Sequence, residues 1–333
     1  MRYHILGALG AWTLLLAGCQ NSQLKTEVAD VAAKMSANLV AVREAAQSFA
    51  AAAQNLYSHL DRVDLSTKGM DVRDGGVFDT FQNNTYYFKT LRKGASYYVS
   101  PMKPVDDTVR RAVRAMQHLE GDIQSSYEKN GDVMALAFFG VHEPMSVGML
   151  YPWVDVISFL PPALQIRQME WYQRGLASSG SARWSNGPFV SFYSGWIEDV
   201  AVPVLVDNQV RGVIVLATSL EKFKAKYFAG QPENLLLLGS DLTVFVANDA
   251  ARKALPIKVV EDFDYTKQLK VNSSPSEGYH LSDDTQPSGL KALADAVTKG
   301  ETQITETVAG KRWTFYVSLI KEPRFYVVGF GPE

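Results

Sequence analysis

The sequence predicts an α+β protein in which a long N-terminal helix precedes two modules built on antiparallel sheets. Three observations support this prediction. Apolar residues recur at helical spacing from Leu24 to Val63 with no proline or glycine between them. Further along, short segments rich in valine and aromatic residues occur in two sets, each bounded by turn-forming residues. These segments cluster without the strict strand–helix alternation of a parallel sheet, which favours α+β over α/β.

The composition excludes several classes of function. The 333 residues carry a formal net charge of −2, so a basic surface for nucleic acid is not expected. Hydrophobic residues make up 47% of the chain, which is enough to bury a large core. The single cysteine, Cys19, excludes an internal disulfide and any metal site that needs several thiolates.

The N-terminus has the pattern of a bacterial lipoprotein signal. Arg2 provides a positive charge, and the apolar stretch 5–16 is too short to span a bilayer. Residues 16–19, Leu-Ala-Gly-Cys, resemble a lipobox, which implies that the signal peptide 1–18 is removed and that acylated Cys19 becomes the N-terminus. Several acyl chains would hold the protein stably on a bilayer. An ordinary signal peptide that happens to contain a cysteine is the alternative.

We therefore expect a lipid-anchored protein of the cell envelope. Gln20 follows the cysteine, and by the enterobacterial sorting rule a residue other than Asp directs a lipoprotein to the outer membrane. The periplasmic side of the outer membrane is the expected location. After the signal, the sequence contains no run of about eighteen apolar residues that could form a transmembrane helix.

Segment 19–66 is predicted to be the lipid-anchored long helix. Its apolar residues step by threes and fours in a nearly heptad register, with one stutter between Val31 and Leu39. Two interpretations stay open. The stripe is either the seam of a coiled coil, which would make a homodimer, or the face by which a spine helix packs against its own domain.

Two modules are predicted to follow, over 67–230 and 231–333. The first contains a predicted helix over 105–127, and Asp207-Asn208-Gln209 predicts a hairpin turn. The second contains a predicted helix over Leu290–Thr298. Strands are predicted at 133–141, 146–152, 198–206 and 211–219 in the first module, and within 235–247, 301–310, 312–320 and 325–331 in the second.

The sequence carries none of the common enzyme signatures. It has no H-E-x-x-H, G-x-S-x-G, P-loop or G-x-G-x-x-G pattern. The histidines are scattered without the spacing of metal ligands, and His142-Glu143-Pro144 is interpreted as a loop rather than a site. We therefore predict a protein that is not an enzyme and that needs neither a cofactor nor a metal.

A pattern of widely spaced residues runs from Tyr151 to Leu220. An arginine precedes a Trp-Tyr pair, a Trp-Ser-x-x-Pro-aromatic segment follows, and the next two strands contain Pro-Val and Gly-Val. The residues are Arg167, Trp171-Tyr172, Trp184-Ser185, Pro188-Phe189, Pro203-Val204 and Gly212-Val213. Together with the closing segment 308–333, this pattern resembles bacterial double Cache sensor domains over nearly the whole mature chain.

The resemblance implies two PAS-like modules, of which the membrane-distal one, 67–230, binds a small extracellular ligand and the other, 231–333, is membrane-proximal. Aromatic walls would supply apolar contact area, and an arginine with the Tyr172 hydroxyl would pair with a ligand carboxylate. The candidate ligand-binding residues are Tyr151, Arg167, Trp171, Tyr172, Trp184, Phe189, Ser191 and Thr218.

The sequence departs from the amino-acid-binding version of this family. Met169 stands where an arginine is expected, and Ser191 and Thr218 stand where carboxylates would bind an ammonium group. A buried cation without a partner is costly, so an uncharged or anionic ligand is favoured over a standard amino acid. Asp199 is a candidate for a replacement charge. Equally, Trp171 and Tyr172 could be ordinary core residues.

The expected function is a lipid-anchored periplasmic sensor that binds a small ligand and acts in signal transduction through an integral membrane partner. Such a partner is expected because the chain carries neither transmembrane helices nor an output domain after Glu333. The alternative is a degenerate Cache pair that binds no ligand and serves as a docking or envelope-assembly module.

Overall fold

The computed structural model describes residues 6–81, 86–99, 104–144, 147–160, 164–191, 194–263 and 278–333. The first helix, α1, covers Leu6–Ser58. The later helices are α2 Asp107–Gln117, α3 Glu120–Glu128, α4 Val156–Phe159, α5 Glu170–Leu176, α6 Leu220–Tyr227, α7 Asp249–Ala254 and α8 Leu290–Thr298. None of the described helices is long and apolar enough to cross a bilayer.

The strands form antiparallel sheets. Strands β1 Phe78–Phe81 and β2 Tyr86–Lys89 make a hairpin. The large sheet has the order β3-β5-β4-β9-β8-β6, with β7 also beside β8, and the small sheet has the order β11-β10-β14-β13-β12. Their strands are β3 Ser96–Val99, β4 Met134–Val141, β5 Val147–Tyr151, β6 Arg183–Trp184, β7 Phe189–Ser191, β8 Gly195–Val206, β9 Gln209–Ser219, β10 Asn234–Leu238, β11 Val244–Ala247, β12 Gln303–Val308, β13 Lys311–Ile320 and β14 Phe325–Pro332. The predicted α+β class, with a long helix and two antiparallel sheets, is confirmed.

The chain divides into two compact units. Unit 1 contains Met1–Leu39 and Phe223–Glu333, and unit 2 contains Val40–Lys222. Unit 1 therefore holds the small sheet, and unit 2 holds the large sheet, while α1 contributes a stretch to each. The modules predicted from the sequence, 67–230 and 231–333, are divided by motif rather than by compactness. Their boundaries stay predictions.

From Leu24 to Ala53, the apolar stripe of α1 is buried within this chain. In unit 1, Val28 lies against β14, where a side chain at Gly329 would come within 2.3 Å of it. In unit 2, Phe49 makes an edge contact with Phe139 of β4 at 6.2 Å between ring centroids. The stripe therefore acts as the packing face of a spine helix, and this face is not open as a coiled-coil seam.

Local signals account for most of the remaining elements. Asp207 and Asn208 have φ angles of 52° and 59°, the left-handed pair that a two-residue hairpin turn between β8 and β9 requires. The helix predicted over 105–127 is instead two helices, because α2 ends at Gln117 and α3 begins at Glu120. Asp106 caps α2 by accepting a hydrogen bond from the Val109 amide at 2.9 Å.

Candidate ligand-binding site

Trp171 and Tyr172 lie on the short helix α5, over one face of the large sheet. They belong to one apolar cluster with residues of the sheet such as Phe138 and Val215. The Trp171 ring stands edge-on to Phe138 at 4.7 Å and to Tyr172 at 5.5 Å between ring centroids. Tyr172 is fully buried, whereas Trp171 is partly exposed. This pair forms the apolar part of the candidate site.

Two glycines of the sheet make room for this layer. Gly140 and Gly148 are opposite each other on β4 and β5. A side-chain carbon at Gly140 would lie 2.7 Å from Ile166 and 3.1 Å from Trp171, and one at Gly148 would lie 2.6 Å from Phe138. The absence of Cβ atoms at both positions therefore lets the aromatic rings approach the sheet backbone.

A polar network connects Tyr172 to the end of β4. Arg167 places one guanidinium nitrogen 3.0 Å from Glu143 and another 3.1 Å from His142 Nε2, and His142 Nδ1 lies 3.1 Å from the Tyr172 hydroxyl. Because a guanidinium only donates, Nε2 must accept, so the neutral ring carries its proton on Nδ1 and donates it to Tyr172. Burial, followed by the charge of Arg167, lowers the pKa of His142, which favours this neutral form. The Tyr172 hydroxyl thus keeps its own proton for a further hydrogen bond.

A second polar cluster is buried under the other end of α5. Arg174 pairs with Asp199 of β8, and its other terminal nitrogen lies 3.1 Å from Glu170. Asp199 is 1% exposed, and its burial raises its pKa to about 6, although the charge of Arg174 opposes the shift. Asp199 is two residues from both Ile197 and Ala201 on the same strand and so shares their face. Because these two residues belong to the apolar cluster, the Asp199 side chain projects toward α5.

Glu198 lies next to Asp199 but projects from the opposite face of the sheet. It is 1% exposed, and neither carboxylate oxygen has a hydrogen-bond partner within bonding distance among the described residues. Burial raises the pKa of Glu198 well above its usual range. The nearby Ser185 hydroxyl opposes this shift, and the charge of the Asp199 carboxylate adds to it. Burial therefore favours the protonated, neutral form of Glu198 in the folded protein.

The structure brings together some of the predicted ligand-binding residues. Trp171, Tyr172 and Phe189 share the apolar cluster, and Arg167 joins Tyr172 through His142. Ser191, which is 8% exposed, follows Phe189 by two residues on β7 and so projects from the same face. Their contact with a ligand stays a prediction.

Three predicted residues lie elsewhere in unit 2. The Tyr151 hydroxyl donates to Glu128 of α3 at 2.9 Å. The Thr218 hydroxyl donates to the Glu198 carbonyl at 3.0 Å and, by alternation with Ala217, projects from the face opposite α5. Trp184 is paired with Val200, which alternates with Asp199 and Ala201 and so faces away from α5. The geometry therefore separates Tyr151, Trp184 and Thr218 from Trp171 and Tyr172.

Arg174 and His142 belong to these polar clusters but are not among the residues predicted from the sequence. Arg174 follows Trp171 by three residues and Glu170 by four, so helical spacing alone places it one turn further along the same helix. His142 does lie in a loop, as predicted, and it is the position of this loop at the end of β4 that brings it to Tyr172. Cys19 lies in α1, but its side chain is outside the described residues, so its lipidation stays a prediction.

Comparison with known proteins identifies the fold. No protein-family model matches the chain, and no curated protein matches it in sequence. The extracellular domain of a protein assigned as a histidine kinase, soHK1S-Z6, superposes with a TM-score of 0.51 at 13% identity, covering 96% of each chain. The sensory domain of the Campylobacter jejuni chemoreceptor Tlp3 (CcmL), with isoleucine bound, has a TM-score of 0.50 at 10% identity, covering 95% of each chain.

The Tlp3 ligand-binding domain in complex with L-norvaline also has a TM-score of 0.50 at 10% identity, covering 94% of this chain and 91% of that one. At such low identity these matches establish the fold alone. Because they span both units, they confirm the fold that the resemblance to double Cache sensor domains implies. The chain thus has the fold of bacterial extracellular sensory domains.

Proposed function

We propose that this chain is an envelope sensor that binds a small uncharged or anionic ligand between α5 and the large sheet. One observation carries the proposal. Where α5 packs on the sheet, the aromatic side chains of Trp171 and Tyr172 lie close to buried polar groups. Small-molecule sites have this composition: apolar walls with a few convergent polar groups. Strongly perturbed ionisable groups such as Asp199 are also enriched at functional sites.

The ligand class follows from the ion pairs that the carboxylates of this site already make. Asp199 is paired with Arg174, and Glu143 is paired with Arg167. Neither carboxylate is open to receive an ammonium group, so a zwitterion would leave its cation without a buried partner. A ligand carboxylate or carbonyl could accept from the Tyr172 hydroxyl and, by displacing the exposed Glu143, from Arg167.

Binding in this position would change how α5 packs against the large sheet. A ligand that contacts α5 better in one arrangement than in another shifts the population toward that arrangement. An integral membrane partner would then detect the altered surface of the anchored protein. In this proposal Cys19 carries the lipid, the protein lies in the periplasm, and the outer membrane is the expected membrane.

Thermal shift with a ligand panel tests the proposal. The panel contains small organic acids, neutral amides and nucleobases, amines and standard amino acids. A ligand at one hundred times its Kd should stabilise the protein by about 2.7 kcal/mol. Trp171→Ala should abolish this shift, whereas Trp153→Ala, which alters another partly exposed tryptophan of unit 2, should retain it. A hit that survives both Trp171→Ala and Tyr172→Phe would refute the proposed site.

The anchor is tested separately. Metabolic labelling with a palmitate analogue should mark the wild-type protein and not Cys19→Ser. Gln20→Asp should move the labelled protein from the outer- to the inner-membrane fraction. Labelling of Cys19→Ser would refute lipidation at this residue.

A ligand-free docking module is the second candidate, and one observation favours it. The space above Gly140 and Gly148 is occupied by the protein's own side chains, Ile166, Phe138 and Trp171. If the whole panel leaves the unfolding temperature unchanged, this candidate replaces the first one.

A further inference from the structure

A separate cavity lies at the end of the large sheet where α1 terminates, in unit 2. Its volume is about 510 Å³, which is within the range of small-molecule sites. Its lining residues come from the end of α1, the loop after β4 and the start of β9. They include Tyr57, Leu60, His142, Glu143, Val210 and Arg211. We call it the Arg211 cavity.

Two hydrogen-bond donors in this cavity lack a partner among the residues that the structure describes. The Tyr57 hydroxyl and Arg211 Nε are both buried, and neither makes a hydrogen bond within the part of the chain that the structure describes. The Arg211 side chain also has no ion pair among those residues. Buried donors are normally satisfied, so a cavity that contains two unsatisfied ones is suited to an acceptor from outside the protein.

The charges around the cavity favour an anion. Arg211 is a lining cation without an ion pair in the described ranges, and its charge acts on the Tyr57 hydroxyl, opposing the rise in pKa that burial produces there. Glu143 is the lining carboxylate, but its side chain is 68% exposed and is already paired with Arg167. His142 is held neutral by the hydrogen bond that it accepts from Arg167. The apolar side chains of Leu60 and Val210 complete the wall.

We propose that the Arg211 cavity binds a small carboxylate with a short apolar tail. The carboxylate accepts hydrogen bonds from Arg211 and from the Tyr57 hydroxyl, and the tail lies against Leu60 and Val210. Charge-assisted hydrogen bonds to a guanidinium are the strong kind, which accounts for the preference for a carboxylate over a neutral amide. This site is distinct from the proposed site under α5 and does not depend on it.

The cavity also contacts the α5 site through His142 and through Glu143, which pairs with Arg167. His142 lines the cavity and donates to the Tyr172 hydroxyl. A carboxylate bound beside His142 would therefore alter the position of the group that holds Tyr172. The two sites would be coupled if both are occupied.

Isothermal titration with benzoate and benzamide tests this inference. The two probes have the same size, and only benzoate carries the charge. Benzoate should bind the wild-type protein at least tenfold more tightly than benzamide. Arg211→Gln should weaken benzoate binding at least tenfold, and Tyr57→Phe, which keeps the ring, should weaken it about threefold to tenfold. Arg183→Gln, at an exposed arginine of β6, should leave it unchanged.

Three results would overturn the proposal. Benzoate could fail to bind the wild-type protein, which would mean that water alone fills the cavity. Benzoate binding could persist in both Arg211→Gln and Tyr57→Phe. Benzoate binding could instead be lost in Trp171→Ala and retained in Arg211→Gln, which would place the probe in the α5 site. If Arg211→Gln does not fold, Tyr57→Phe decides the question, because it removes only a hydroxyl group.

Discussion

The two sheets of this protein differ in what they bury. Among the described residues, the buried polar side chains of unit 1 are uncharged: Thr243, Asn248, Gln286 and Thr314. Asn248 is typical of them, because it caps α7 at 2.9 Å, accepts from the Leu235 amide at 3.1 Å and donates to the Glu233 carbonyl at 2.7 Å. Unit 2 buries Glu198 and Asp199 at 1% exposure each, beside Arg174.

This difference sets the energetic cost of the two cores apart. A satisfied amide such as Asn248 stabilises local structure at little cost. A buried carboxylate costs desolvation free energy that an apolar residue of similar volume would not, even when it is paired. Unit 1 buries uncharged polar groups, and unit 2 keeps a costly buried pair, Arg174 and Asp199, where the proposed ligand site lies.

The largest expected effect is that of breaking the buried ion pair. Arg174→Leu leaves Asp199 buried without a cation and should destabilise unit 2 by about 3–5 kcal/mol. Arg252→Leu in unit 1 breaks pairs with Glu261 and Asp262, but its side chain is 28% exposed, so a loss of about 1 kcal/mol or less is expected. Hydrogen exchange measured separately in each unit reports both values.

The double substitution Arg174→Leu with Asp199→Leu is the control, since it removes both charges together. It should recover much of the lost stability. Equal losses from Arg174→Leu and Arg252→Leu would contradict the distinction between the two units.

The next effect is a pH dependence confined to unit 2. The folded-state pKa of Glu198 is raised above its unfolded value, so the folded protein binds more protons. The resulting stability is fully present below the unfolded pKa and is lost as the pH rises toward the folded pKa. Between these values, the free energy of unfolding should fall by up to about 1.4 kcal/mol per pH unit.

Glu198→Gln is the matched variant, because it keeps the shape of the side chain and removes the titration. Its stability should vary less with pH above about 4.3, the usual pKa of Glu. Asp199, with a pKa of about 6, should leave a residual slope of the same sign below that pH. Urea unfolding at a series of pH values measures the difference, and identical profiles for the variant and the wild type would show that Glu198 is not buried as described.

The smallest effect concerns single tyrosine hydroxyls. Tyr172 accepts from His142 in unit 2, and Tyr326 accepts from Arg324 at 3.1 Å in unit 1. Phenylalanine at either position should cost about 0.5–1.5 kcal/mol in unfolding free energy. Only Tyr172→Phe should also weaken binding of a panel hit. Equal binding by both variants would remove Tyr172 from the site.

Much of the fold was predictable because its signals are local. The pair Asp207 and Asn208 specifies a hairpin turn through backbone preferences of these residue types alone. Helix α8 begins and ends at the predicted residues, Leu290 and Thr298. The hairpin β1–β2 was not predicted, because strands as short as Phe78–Phe81 carry too few residues for a clear alternation. The break after α2 was missed because the apolar spacing continues across it.

The candidate site was only partly predictable. Trp171 and Tyr172 are predicted as neighbours because they are adjacent and carry a recognisable pattern, and the structure places both in one apolar cluster. Their contact with a ligand stays a prediction. Thr218 and Trp184 are also on strands beside the site, but a strand projects its side chains alternately to both faces. Which face α5 would cover is not encoded in either strand.

The sequence by itself determined the kinds of elements, the long helix, the main strands and the hairpin turn between β8 and β9, since each depends on residues close together in the chain. Tertiary structure alone decided which charges meet. Arg174 pairs with Asp199, 25 residues away, because Gly175 lets α5 approach β9 closely, where a side chain would lie 2.5 Å from Val213. Such a contact depends on the packing of a helix on a sheet, and no local pattern of residues specifies it.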